Sequence, residues 1–183
     1  MGELRGPQLQ PGDIAAAAYA VGWTDAVKLQ ECVQICMAES RGFLRAYNDN
    51  VVPEGKTIRG LDGRTYTAGQ VWQRDCGPMQ IAIGAAFIGT DKEEELYDLD
   101  MNLRRARVLF NERGWQPWAA YGSEIYLRDT YLKLAARGVG NFLARLMLER
   151  VPTDTAGTTT IPKGEPYVPV SYTHLTLPTI CSV

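Results

Sequence analysis

Apolar residues along this chain recur mostly at helical spacing. Residues 14–21 are nearly all apolar, with Asp13 placed to cap them and Gly22 to end them, which predicts a short helix. Thr24 is placed to cap a second. Its apolar positions Ala26, Leu29, Val33, Cys36 and Met37 keep the three-and-four spacing of a buried stripe, running to about Ser40 and stopping before Gly42. From Phe43 to Cys76 the pattern breaks into short pieces punctuated by Gly, Pro, Asn and Asp. Residues 56–59 and 64–67 flank Leu61-Asp62-Gly63, which predicts one hairpin in an otherwise irregular lobe. Helical patterning returns at 79–88, 101–113 and 124–137, and more weakly at 141–149. In 101–113 the buried side falls to Met101, Ala106, Val108, Leu109 and Phe110. The expected fold class is mainly α: a helical domain over 13–150, with a small irregular/β lobe after the second helix and a loose segment at 1–12.

After Val151 the composition turns to Thr, Pro and Gly, with little to bury, so 151–183 is expected to be a disordered tail. Its last stretch, 171–183, reads like the translation of a sequencing adapter and bears on no function. The chain has 183 residues, 45% hydrophobic and 22% charged, the balance of a globular protein. Nineteen basic and twenty-one acidic residues give a net charge of -2, which makes nucleic acid an unsuitable partner. No run of residues is long and apolar enough to span a bilayer, and 14–21 lacks the basic flank of a signal peptide. A substrate outside the cytoplasm would call for another delivery route, such as a viral lysis system or a larger exported parent protein.

Residue types narrow the chemistry further. The single histidine, His174, sits in the polar tail, away from any packed site that a Ser–His or Cys–His nucleophile pair requires. Of the four cysteines only Cys32 and Cys36 are close in sequence, which is poor zinc-site spacing, and no phosphate-cradling glycine loop occurs. No metal and no cofactor are therefore expected. Cys32 and Cys36 share a helix face and cannot readily bridge. A Cys36–Cys76 bridge is conceivable, but packed free thiols are the favoured reading. Chemistry must run on carboxylates.

Glu39 stands out among them. It lies at the end of an apolar helix, where burial and the negative end of the helix dipole would both raise its pKa toward that of a general acid. Most glutamates at helix ends point to water, so position alone is weak. A second cluster adds weight: Asp75-Cys76-Gly77-Pro78-Met79-Gln80-Ile81 sets a Gly-Pro turn ahead of an apolar run, and Gln80 could hydrogen-bond a sugar. A third is aromatic, with Trp115, Trp118, Tyr121 and Tyr126. Such rings are more often packing anchors, although they also suit the flat faces of sugars.

Ala38-Glu39-Ser40, then Gly77-Pro78-Met79-Gln80-Ile81, then Tyr97-Asp98 leading to Asn102, then Trp115–Trp118 and Ala120-Tyr121 follow one another in a familiar order and spacing. Over residues 13–130 the chain resembles the lytic transglycosylase/goose-type lysozyme superfamily, its phage and actinobacterial members above all. The resemblance implies a lysozyme-like fold and a peptidoglycan-cleaving enzyme that acts on glycan strands at the bacterial cell wall; a monomer is expected. It implies that Glu39 protonates the oxygen linking N-acetylmuramic acid to N-acetylglucosamine. Ser40, Gly77, Met79, Gln80 and Tyr121 would serve substrate binding, with Tyr121 near the acid and Asn102 bracing the helix behind it. Two positions depart from the family pattern: Pro78, where leucine is usual, and Gly122, where asparagine often follows the tyrosine.

A hydrolase with two carboxylates needs a partner for Glu39, and Asp49, Asp62 and Asp75 are the candidates. Asp62 suits a turn and Asp75 a cap. A lytic transglycosylase needs only the glutamate, because the sugar's C6 hydroxyl closes an anhydro ring. The sequence leans toward that single-carboxylate outcome and leaves hydrolysis open. A non-catalytic wall-binding or virion module and a helical interaction domain are the competing classes.

Overall fold

The computed structural model describes residues 2–150; the Thr/Pro-rich tail expected at 151–183, with His174 and Cys181, lies outside them. The fold is mixed α/β rather than mainly α. Among the described residues, six α-helices accompany a four-stranded antiparallel sheet, in the order β1-β2-β5-β6, and a two-stranded sheet, β3-β4. The strands are β1 (Gly2–Glu3), β2 (Tyr47–Val51), β3 (Thr57–Arg59), β4 (Thr65–Thr67), β5 (Val71–Cys76) and β6 (Ile81–Gly84). The helices are α1 (Pro11–Ala20), α2 (Ala26–Ser40), α3 (Asp91–Glu95), α4 (Leu99–Arg113), α5 (Ala119–Gly122) and α6 (Asp129–Glu149).

The sheet escaped the pattern for a physical reason. Its strands carry charged, amide and aromatic side chains on half-buried faces, so no clean apolar alternation marks them. The run expected as a helix at 79–88 holds β6 and a 3₁₀ turn at Ala85–Phe87. Gln80 adopts φ 47, which no helix accommodates, and Ile81-Ala82-Ile83-Gly84 instead pairs with Gln73–Cys76 of β5. The predicted hairpin is present as β3-β4, with Ile58 opposite Tyr66. Residues 2–9 are tied down: β1 pairs with Tyr47 and Asn48, and Gln8 bridges Phe43.

Helix α2 is the centre of the core. Leu29, Cys32, Val33, Ile35 and Cys36 are fully buried, so most of its circumference is covered, not one stripe. Its cap is Asp25, whose carboxylate accepts from Lys28 N–H at 2.9 Å, not Thr24. The segments 124–137 and 141–149 join in one helix, α6, which starts only at Asp129 because Glu124 turns with φ 57. Gly138 lies inside α6 without breaking it. A Cβ there would stand 2.5 Å from Pro11 Cβ, so glycine is what lets α6 approach α1. On α4 the buried residues are Asn102, Leu103 and Ala106, while Val108 faces out. Trp23, Phe110, Trp115 and Trp118 form an aromatic cluster in the core, with Trp23 and Trp115 stacked at 5.1 Å.

One ion network fastens the sheet to the helices. Arg74 on β5 donates to both oxygens of Asp49 on β2, at 2.6 and 3.0 Å, and to Glu93 on α3 at 2.9 Å. Glu93 also accepts from Tyr97 and from Gly89 N–H. Burial alone would raise the Glu93 pKa, but these donors and the Arg74 charge outweigh it and hold the carboxyl below its ordinary value. Cys32, Cys36 and Cys76 are buried free thiols. Burial pushes Cys36 and Cys76 up to about 12, which leaves them inert at neutral pH.

Candidate functional site

Glu39 occupies the last turn of α2 and is half-buried. The helix ends abruptly one residue later. Ser40 Oγ donates to Cys36 O at 3.0 Å and accepts from Gly42 N–H at 3.1 Å, while Arg41 takes the left-handed cap conformation at φ 55. Burial raises the Glu39 pKa above the ordinary carboxylate value. A hydrogen bond from Ala120 N–H, at 2.7 Å, partly offsets this, and the nearby negative charge of Asp75 adds to the rise. The carboxyl group is thus held in one orientation and biased toward its protonated form.

It stands in a groove with two adjoining chambers. One, of about 580 Å³, is walled by Glu39, Asp75 and Gln80, by Trp72 and Gln73 of β5, and by the α4–α5 connection through Arg113 and Trp118. The other, of about 660 Å³, shares Glu39, Asn50, Asp75, Gln80 and Ala119 and continues past Tyr47, Arg41, Arg128 and Tyr131. Both volumes fall in the range of small-molecule sites.

Asp75 comes from the sheet side. Asn50 Nδ2 donates to one of its oxygens at 2.7 Å and Gln73 Nε2 to the other at 2.8 Å, so both are oriented by amides. The other two candidate partners for Glu39 are committed elsewhere. Asp49 is paired with Arg74, and Asp62 accepts from Tyr66, Arg64 N–H and Ala86 N–H around the β3-β4 turn. Neither lines the groove with Glu39.

The residues expected to bind substrate divide sharply. Gln80 reaches the groove. Its amide nitrogen donates to Ala46 O and Gly77 O, which leaves the side-chain carbonyl as an acceptor. Ser40, Gly77, Met79 and Asn102 do not line it; they form the packed support beneath. Gly77 adopts φ 73, and a Cβ there would stand 2.2 Å from Leu96 O and 2.3 Å from Asn102 Nδ2. Asn102 donates to Cys76 O at 3.0 Å and Leu96 O at 2.9 Å and accepts from Met79 N–H at 2.8 Å, so it braces the 76–79 turn rather than the Glu39 helix. Trp118 Nε1 donates to Met79 O. Tyr121 stacks on Tyr126 at 5.3 Å and lines neither chamber. Pro78 is fully buried and Gly122 has open space around it, so neither departure from the family pattern touches the groove wall.

Trp72, Tyr131, Asn50 and Gln73 line the groove without having been picked out from the sequence. The sequence signal for Trp72 is faint. In the β2–β5 ladder Asn50 pairs with Gln73 and Val51 with Val71, which leaves Trp72 as the extra residue of a bulge. A bulge re-aims side chains, and here neighbours 72 and 73 both face the groove.

Among the described residues no group of three His, Cys, Asp or Glu is placed to hold a metal ion. None of their helices is long and apolar enough to cross a membrane. Comparison with protein-family models, with curated proteins and with solved structures gives no match.

Proposed function

We propose that the chain is a glycosidase that cleaves the bond between N-acetylmuramic acid and N-acetylglucosamine in peptidoglycan, with Glu39 as the general acid. The observation that carries this reading is a half-buried carboxyl group with a raised pKa, oriented by a backbone N–H and lining the same groove as a second carboxylate, Asp75. Glu39 gives its proton to the bridging oxygen as the bond to the anomeric carbon breaks, and then takes a proton from the water that attacks that carbon. Trp72 offers an apolar face to sugar rings, and Gln80, Gln73 and Asn50 offer amides to hydroxyl and acetamido groups.

The sequence leaned toward cyclisation with one carboxylate. Asp75, amide-oriented and in the same groove, favours hydrolysis instead, as the group that stabilises the developing positive charge at the anomeric carbon or attacks it. Purified protein should solubilise peptidoglycan, and mass analysis of the fragments should find reducing ends; anhydro ends would return the assignment to the single-carboxylate route. Glu39→Gln should lower the rate by about a hundred- to ten-thousandfold. A group whose folded pKa is raised stabilises the fold below its unfolded pKa and costs stability once pH passes the folded value, so the Gln protein should be no less stable than wild type at pH of about 8. A Gln variant that clears peptidoglycan at the normal rate would remove Glu39 from the mechanism.

A further inference from the structure

The arginines of the β-lobe are mostly spoken for. Arg74 is held by Asp49 and Glu93, Arg45 by Glu94 at 2.7 Å, and Arg5 by Glu3. Two arginines on the wall of the larger chamber differ. Neither Arg41 nor Arg128 makes a side-chain hydrogen bond or ion pair among the described residues, and both are exposed. Their backbones are nonetheless fixed. The Arg41 carbonyl accepts from Gln8 Nε2 at 2.9 Å and its N–H is bonded to Met37 O at 3.0 Å; the Arg128 carbonyl accepts from Tyr131 N–H at 2.9 Å and Leu132 N–H at 3.1 Å. Two free guanidinium groups therefore rise from rigid roots into one chamber, beside the Tyr131 ring. The remaining acid at that end, Glu3, is already neutralised by Arg5.

An uncharged sugar gives such a pair nothing to neutralise. A carboxylate does, because the planar donor fork of arginine matches it and charge-assisted bonds are the stronger kind. Deeper in the groove the Asp75 carboxylate repels a multiply charged anion, which favours one carboxylate per sugar unit over a phosphate. We propose that Arg41 and Arg128 form an anion-recognition site for the carboxylate-bearing arm of muramic acid, and so distinguish peptidoglycan from neutral chitin-type glycans. This rests on the glycan-cleaving reading above and goes beyond it by assigning the selectivity to two residues outside the acid–base pair.

The test measures binding, by calorimetry, in full-length protein carrying Glu39→Gln so that nothing is cleaved. Three probes are compared: chitohexaose, peptide-free glycan strands bearing only the lactyl carboxylate, and peptide-bearing strands. Adding Arg41→Asn, which tolerates the left-handed cap, together with Arg128→Gln should lower the ratio of anionic to neutral affinity about tenfold and flatten its salt dependence. Each single variant, which guards against a misfolded double, should lower it less. A fall with both strand types locates the carboxylate on the lactyl arm, and a fall with peptide-bearing strands alone locates it on the peptide; either supports the site. An unchanged ratio overturns it. So does an equal fall from Arg113→Gln in the other chamber, which would reveal a diffuse field rather than a site. Failure of the Glu39→Gln protein to bind any of the three would refute the glycan reading itself.

Discussion

Asn102→Ala is the perturbation whose consequence follows most directly from the structure. The side chain is fully buried and each of its polar atoms is used: Oδ1 by Met79 N–H, and Nδ2 by the carbonyls of Cys76 and Leu96. Truncation takes from three buried backbone groups the hydrogen bonds that Asn102 supplies. Each such loss costs about 1–3 kcal/mol, and water entering the space returns part of that, so the expected loss is about 3–5 kcal/mol. A domain of this size has only about 5–15 kcal/mol to lose. Urea unfolding followed by tryptophan fluorescence measures the change, with the midpoint moving and the slope staying constant. Asn102→Asp sharpens the test. One carboxyl oxygen can still accept from Met79, but the other faces two carbonyls and must carry a proton to bond either. The aspartate pKa is then raised in the folded state, so the variant's deficit should be largest at neutral pH and shrink as pH falls toward the ordinary aspartate value. A loss below about 1 kcal/mol for Ala, or a pH-independent cost for Asp, would refute the proposed bracing of the turn.

Two further outcomes follow from the groove. Asp75→Asn removes a like charge that raises the Glu39 pKa, so that pKa should fall; carbon-detected NMR titration of the Glu39 carboxyl reads this even where the variant is inactive, and an unmoved titration would mean the two groups do not interact. Trp72→Ala should weaken glycan binding by about three- to tenfold while Trp72→Phe retains much of it, with no loss of folding stability beyond about 1 kcal/mol; identical affinities for all three proteins would remove Trp72 from the sugar-binding surface.

What the sequence disclosed tracks how local each cause is. Helix α2 itself, the β3-β4 hairpin and the end of α2 before Gly42 depend on neighbours within a turn or two, and they were readable. So was the position of Glu39 at a helix end. The four-stranded sheet was not, because its stability comes from pairings such as Tyr47 with Cys76 and from the ion network of Arg74 with Asp49 and Glu93, which join residues far apart in sequence. For the same reason Asp75 could not be separated from Asp49 and Asp62: only the register of β2 against β5 turns Asn50 and Gln73 onto it. Tyr121 stacks on Tyr126 and lines neither chamber, a placement set by a contact between side chains that no local pattern records. Trp72 depends on a one-residue bulge that no periodicity records.

The division among the motif residues has a mechanical meaning. Each groove carboxylate immediately precedes a residue that buried hydrogen bonds hold in place. Glu39 is followed by Ser40, whose hydroxyl ties Cys36 O to Gly42 N–H and ends the helix there. Asp75 is followed by Cys76, whose carbonyl is held by Asn102 from α4. Gly77 keeps that contact open, since any side chain would displace Asn102, and the next two residues are packed into the core as Pro78 and Met79. Residues that never touch the groove therefore limit how far either carboxyl group can drift from the other. Catalysis by an acid and a partner across a glycosidic bond loses rate steeply with small misplacements.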